Sequence, residues 1–296
     1  MVKPFVKWAG GKGQLLAEIA KYYPFDSKKI NRYVEPFVGG GAVLFDILSK
    51  YKLEYVCLND INADLINTYL TVRDNVDGLV KRLHDIQTEY IALDGESRKR
   101  FYYDKRERYN MLTTCNIYDN CEKAALLIFL NKTCFNGLYR VNQKGLFNVP
   151  SGTYKNPLIC DEKNLCSISM LLQNTEIVCG DYGALEDKID ENTFVYIDPP
   201  YRPLNNTSSF TAYTANAFSD DDQIRLAKFV DAISAKGALV LESNSDPKNY
   251  DEEDAFFDIM YTKYSIQRVD ATRMINSKSS GRGKIKELLI SNFMEA

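Results

Sequence analysis

Residues 33–60 read YVEPFVGGGAVLFDILSKYKLEYVCLND. Tyr33 to Val38 is a short apolar run of strand formers. Gly39, Gly40 and Gly41 interrupt it. A segment to about Lys50 follows, with Val43, Leu44 and Ile47 on one helical face. Tyr55-Val56-Cys57-Leu58 is a second apolar run, and it stops at Asn59-Asp60. Strand, glycine turn, helix, strand is the opening of a doubly wound α/β sheet. Glycines in that turn let a ligand approach the backbone and the N-terminus of the following helix. An acid ending the second strand commonly binds ribose hydroxyls, and Asp60 lies about twenty residues beyond Gly39, as such sites require. The dinucleotide fingerprint fails, because Leu44 stands at its last glycine. The turn and the acid together point to some other nucleoside-containing cofactor.

The pattern resumes later in the chain. Ile177-Val178-Cys179 and Phe194-Val195-Tyr196-Ile197 read as strands that end at Asp181 and Asp198. Asp220 to Lys236 reads as a helix with acids at its start and Gly237 as its stop. Ala238 to Leu241 and Glu287 to Ile290 are further strands, and Tyr264 to Val269 is expected to pair with the last as a hairpin. Between the two blocks, 62–131 is helical and polar, and 131–157 is loop-like. The chain is therefore expected to be an α/β sheet interrupted by a helical insert.

Composition narrows the chemistry. The chain has 296 residues, 45% of them hydrophobic, with seven cysteines, one histidine and a net charge of −3. No C-x-x-C pair occurs, which argues against zinc and against a disulfide framework. A single histidine, His84, in a polar helical pattern argues against a histidine base, a Ser-His-Asp triad and a multi-histidine metal site. No apolar run reaches transmembrane length and none resembles a signal-peptide core, so a cytoplasmic protein is expected. Charge is uneven. Residues 131–157 hold Lys132, Arg140, Lys144 and Lys155 and no acid, and 263–286 hold seven basic residues against Asp270. A basic face on an acidic body suits a polyanionic partner. Trp8-Ala9-Gly10-Gly11-Lys12 lacks the first glycine and the Ser or Thr of a phosphate-binding loop, so no nucleoside triphosphate site is indicated.

The remaining stretch is VYIDPPY, 195–201. A buried strand stops on Asp198, and two prolines then fix the backbone and remove N–H donors. Such a turn holds two acceptors still, the Asp198 carboxylate and the Pro199 carbonyl. At this point the sequence resembles the DNA adenine methyltransferases of the Dam type. Phe5 to Lys12 is similar to that family's N-terminal cofactor motif, and Glu35 to Gly41 to its glycine motif. Asn59-Asp60-Ile61-Asn62 is similar to its ribose-binding segment. Asn131 to Arg140 with Gly145 to Pro150 is similar to its recognition hairpin, and Asp198-Pro199-Pro200-Tyr201 to its catalytic motif. The order of motifs is that of the family's alpha subgroup, and the resemblance covers nearly the whole chain.

The resemblance implies a Rossmann-like methyltransferase sheet with a helical insert carrying a β-hairpin for DNA recognition. The catalytic domain would comprise 1–61 and 159–296, and the target-recognition insert 62–158. The cofactor would be S-adenosylmethionine, contacted or bordered by Trp8, Ala9, Gly10, Lys12, Phe37, Gly39, Gly41, Asp60, Asp181 and Asp198. Asp198 and Pro199 would bind the amino group of an adenine flipped out of duplex DNA, and Tyr201 would stack on it. Lys7, Phe135, Asn136, Leu138 and Arg140 match the recognition positions, and GATC is the expected target. The chemistry fits: a sulfonium already activates its methyl group, so neither metal nor histidine is required. Clusters at 98–108 and 278–286 are better candidates than Arg140 for phosphate contact. The substrate partner would be double-stranded DNA, no metal or membrane partner is expected, and a monomer or weak dimer is the default. Two other readings stay open: amide or RNA methylation, and a silent DNA-binding relative. Restriction–modification, phage and chromosomal roles are not separated.

Overall fold

The computed structural model describes residues 2–26, 29–114, 119–202, 218–272 and 284–293. A seven-stranded sheet forms its centre, in the order β3-β2-β1-β4-β5-β7-β6. The strands are β1 (Arg32–Glu35), β2 (Tyr55–Asp60), β3 (Thr175–Cys179), β4 (Thr193–Ile197), β5 (Leu239–Ser245), β6 (Ser265–Thr272) and β7 (Lys284–Ser291). The first five pair in parallel, and β7 lies antiparallel to both β5 and β6. The expected terminal hairpin is thus β6–β7.

Chain order reverses at β1, which pairs with β2 on one side and β4 on the other. In an open α/β sheet, ligands bind at that switch point, outside the carboxyl ends of the strands. Here those ends carry the glycine turn after β1, Asp60 at the end of β2, and Asp198 just beyond β4. The fold brings together three segments that are far apart in sequence. The first strand is shorter than Tyr33 to Val38: it ends at Glu35, because Pro36 cannot donate to the ladder.

Alternation along the strands divides the core between two faces. Tyr33, Leu58, Phe194, Tyr196 and Leu241 belong to one buried cluster, and Val34, Cys57, Val195, Ile197 and Val240 to the other. The second face is covered by α8 (Asp220–Ala235), which Ser219 and Asp222 start with reciprocal cap bonds.

The first face meets α2 (Ala42–Lys50) and the helices between β2 and β3. These are α3 (Ala63–Asp74), α4 (Val76–Ala92), α5 (Gly95–Thr114), α6 (Asn120–Thr133) and α7 (Glu162–Leu172). Every residue from Ala124 to Leu130 of α6 is buried, so this helix is apolar all round and central to the group. No helix of the described residues is long and apolar enough to cross a membrane. The six described cysteines are free thiols, and Cys115 lies outside the described residues.

Candidate active site

Asp198 leaves β4 at its carboxyl end with 20% of its side chain exposed, against 4% for Lys12. The Lys12 ammonium donates to Asp198 Oδ1 at 2.6 Å, to the Tyr201 hydroxyl at 2.8 Å and to the Gly10 carbonyl at 2.9 Å. Three N–H groups therefore meet three acceptors. Tyr201 in turn donates to Glu287 Oε2 at 3.0 Å, and Lys12 Nζ stands 4.0 Å from that carboxylate. Ser243 on β5 donates to Asp198 Oδ1 at 3.1 Å and lies 2.9 Å from the Tyr196 hydroxyl. Both protein donors to Asp198 thus converge on Oδ1. Oδ2 and the Pro199 carbonyl have no partner among the described residues.

Burial alone would push the Lys12 ammonium down, but Asp198, with Tyr196 and Glu287 behind it, more than offsets this and holds it above its ordinary value. Burial pushes the Asp198 carboxyl up, and Lys12 and Ser243 limit the rise. Behind the turn, the fully buried Gln223 of α8 donates to the Pro200 carbonyl at 3.1 Å, and Asn244 of β5 donates to Gln223 at 3.3 Å. Asn244 also donates to buried Glu242, whose carboxyl burial raises to about 7. This polar network fixes the second proline of the turn.

The glycine turn is tied to its acid. Asp60 Oδ2 accepts from the Gly39 N–H at 3.1 Å, and Oδ1 accepts from Asn62 N at 2.9 Å. Burial raises the Asp60 carboxyl to about 6. Gly39 and Gly41 have φ values of 47° and 74°, which side chains rarely adopt. A Cβ at Gly39 would stand 2.8 Å from Trp8 Cδ1, so the turn needs glycine for contact as well as for conformation. Trp8 also stacks on Tyr139 at 5.2 Å, which joins the N-terminal motif to the recognition segment. Ala9 is half-buried and Gly10 exposed beside it. Phe37 packs against Tyr182 and Phe218 at 5.2 and 6.1 Å. The Tyr182 hydroxyl is buried with no partner among the described residues. Asp181 accepts from both Nη atoms of Arg225, at 2.8 and 2.5 Å, and that guanidinium holds its carboxyl below the usual range. A strand-end carboxylate, a glycine turn at a helix start, aromatic faces and an orphaned hydroxyl are a donor and acceptor set that fits a nucleoside with a charged tail.

The segment 131–152 forms a hairpin held by two isolated antiparallel bridges, Cys134 to Ser151 and Val141 to Phe147. Asn131 clasps its base: it accepts from Lys7 N and donates to the Lys7 and Gly137 carbonyls. Lys7 reaches Tyr154 with its ammonium 4.7 Å from the ring centroid. Phe135 is 53% exposed, and Asn136 is the one described non-glycine residue at positive φ. Leu138 is half-buried. Arg140 donates to the side chain and carbonyl of Asn148, at 2.7 and 3.3 Å.

In the cluster at 98–108, Lys99 and Arg100 are exposed, but three arginines are engaged within the protein. Arg98 donates to the carbonyls of Tyr90, Ile91 and Lys155, Arg106 to that of Val149, and Arg108 to Glu122. These guanidiniums close helix ends and the hairpin base, so they are structural groups. Of the other run, 278–283 lie outside the described residues, and Lys286 pairs with Asp270. His84 is exposed and pairs with Glu162. No group of three or more potential metal ligands occurs among the described residues.

Sequence reasoning missed Ser243, Glu287 and Gln223, and gave Asn131, the first residue of the hairpin motif, no role of its own. A polar residue within an apolar strand, as at Ser243 and Glu287, was the one available signal.

The profile of the family described as D12 class N6 adenine-specific DNA methyltransferase matches residues 8–275. The chain is 50% identical over 295 residues to the type II methyltransferase M.MjaIII of Methanocaldococcus jannaschii, covering 99% of each. It is 38% identical to the type II methyltransferase M1.LlaDCHI of Lactococcus lactis, covering 99% of this chain and 96% of that one. With the DNA adenine methylase of Haemophilus influenzae it shares 35% identity, over 97% of this chain and 92% of the other. The carboxylate-and-carbonyl turn at the sheet's switch point therefore sits in a chain that belongs to the D12 class of N6 adenine-specific DNA methyltransferases.

Proposed function

We propose that this chain transfers a methyl group from S-adenosylmethionine to the N6 amino group of an adenine flipped out of duplex DNA, within GATC. The amino lone pair of adenine is delocalised into the ring, so the nitrogen is a poor nucleophile. Asp198 Oδ2 and the Pro199 carbonyl accept its two hydrogens and draw the nitrogen towards a tetrahedral form. That both donors on Asp198 among the described residues use Oδ1, leaving Oδ2, is the observation that supports this most directly. S-adenosylmethionine supplies a methyl group activated by its sulfonium. Asp60 holds the ribose hydroxyls, and Phe37 with Gly39 to Gly41 lines the methionine end. Trp8, Ala9, Gly10, Lys12 and Asp181 border the cofactor. Catalysis is then positioning plus stabilisation of the charge that develops on nitrogen. The Asp198 carboxylate, raised by burial, takes the proton that the methylated nitrogen releases.

A base inside a duplex cannot reach such a turn, so it must flip, and the Tyr201 ring stacks on it. Lys7, Phe135, Asn136, Leu138 and Arg140 face the target sequence, with Arg140 donating to a guanine edge. In this reading 62–158 is the recognition insert, and 1–61 with 159–296 the catalytic unit.

The test is transfer of labelled methyl to two short duplexes, one with GATC and one with it scrambled. Label on the adenine of the GATC duplex alone is expected. Label on both removes the proposed specificity, and label on neither, with cofactor bound, removes the proposed substrate.

A further inference from the structure

We infer that Asn110, on α5, is a specificity-determining positioning residue that sets the register of the recognition hairpin. The inference rests on the reading of Arg140 as a base contact. An isolated two-stranded hairpin is marginal in water. Here, beyond the Cys134 to Ser151 bridge at its base, the described ladder between its arms is the bridge Val141 to Phe147, flanked by Asn142 N to Leu146 O at 2.9 Å and Asn148 N to Arg140 O at 3.1 Å. Those flanking bonds make Val141 and Phe147 a non-hydrogen-bonded pair, so the Phe147 N–H and C=O point away from the opposite arm. Asn110 meets both. Its Nδ2 donates to the Phe147 carbonyl at 3.1 Å, and its Oδ1 accepts from the Phe147 N–H at 2.9 Å. A side-chain amide thus takes the place of a third strand.

The next residue is Asn148, which holds the Arg140 guanidinium through Nε and Nη2. A guanidinium has five N–H donors in a fixed fork. With Nε and one Nη2 hydrogen engaged, its Nη1–Nη2 end is left to form the paired bonds that read guanine. A one-residue slip of the arm would turn Asn148 to the other face and release Arg140. Asn110 opposes that slip, because its two bonds fit one residue's N–H and C=O.

The test compares kcat/KM on the GATC duplex with kcat/KM on duplexes carrying one substituted guanine pair, for wild type, Asn110→Asp and Arg140→Ala. Asn110→Asp keeps shape and volume but sets a carboxylate oxygen against the Phe147 carbonyl. Both variants are expected to lose about tenfold or more in discrimination, at the same base pair. Cofactor affinity and kcat at saturating DNA should stay near wild type for Asn110→Asp. Wild-type discrimination in Asn110→Asp, with discrimination lost in Arg140→Ala, overturns the inference and leaves the reading of Arg140 standing. Retained discrimination in Arg140→Ala overturns that reading itself. A loss in Asn110→Asp that is equal on every duplex assigns Asn110 to general docking and also overturns the inference. Amide exchange on the wild-type protein gives an independent check: the Phe147 N–H should be protected, and fast exchange there contradicts the clasp.

Discussion

Replacing Lys12 by methionine tests the electrostatics of the site. The substitution keeps the length of the stem and removes a 4% exposed ammonium bonded to Asp198, Tyr201 and Gly10. Breaking a buried ion pair from one side costs about 3–5 kcal/mol. Asp198 keeps some contact with solvent and keeps Ser243, so the lower end, about 3 kcal/mol, is expected. Part of that cost is relieved if Asp198 takes up a proton. The Lys12 cation holds the Asp198 carboxyl down against burial, so the carboxyl should rise when Lys12 is lost. Protonated Asp198 offers a poorer acceptor to the adenine amino group. The acid limb of the kcat profile, measured by labelled methyl transfer at saturating cofactor from pH 5.5 to 9.5, should move to higher pH. Activity near neutral pH falls and partly recovers in alkali. Urea unfolding of Lys12→Met, Asp198→Asn and the double variant should show strong coupling, with the double variant more stable than the sum of the singles. An unmoved acid limb together with additive losses refutes the reasoning.

Three further outcomes follow from the geometry. Glu242 has a carboxyl that burial raises from 4.5 to about 7, so the folded state binds its proton more tightly than the unfolded chain. The contribution of this group is fully present below pH 4.5 and is lost as pH rises through about 7, about 3 kcal/mol in all, so Glu242→Gln should flatten the decline in urea stability between pH 5 and 8. Gly39→Ala strains a φ of 47° and drives a methyl into Trp8, the chain's one tryptophan. Its intrinsic fluorescence should shift and cofactor affinity should fall; an unchanged spectrum with normal affinity contradicts the contact. Tyr201→Ala should lower turnover more than Tyr201→Phe, because stacking needs the ring, whereas the hydroxyl serves Lys12 and Glu287; equal losses argue against stacking.

The elements were legible where the signal is local. Glycines after a strand, an acid at a strand end and a proline pair after Asp198 each declare themselves within a few residues. The strand order was not, since pairing of β1 with β4 joins Arg32 to Thr193, some 160 residues apart, whereas sequential elements are usually neighbours. Glu287 and Ser243 escaped for a related reason. On alternating strands a polar residue reads as solvent-facing, and the sheet's carboxyl edge instead turns these two into the site. The arginines of α5 show the opposite error. A charge run looks like a polyanion surface, yet Arg98 and Arg106 donate to backbone carbonyls at helix and hairpin ends. Arginine's many donors serve either purpose, and sequence spacing does not choose between them. Asn110 and Asn131 look like ordinary polar residues until the backbone groups they meet are known.

The most direct measurement is methyl transfer to the adenine N6 of a GATC duplex by wild type and by Asp198→Ala, with folding and cofactor binding checked on the same samples. Glu287 lies 4.0 Å from Lys12, so the ammonium has a second counterion when Asp198 is removed, and the fold should persist. The account predicts N6-methyladenine from the wild type and none above background from a folded, cofactor-binding Asp198→Ala. Near-normal turnover by that variant would show that the carboxylate does not hold the amino group, and the mechanism drawn from this turn would be wrong.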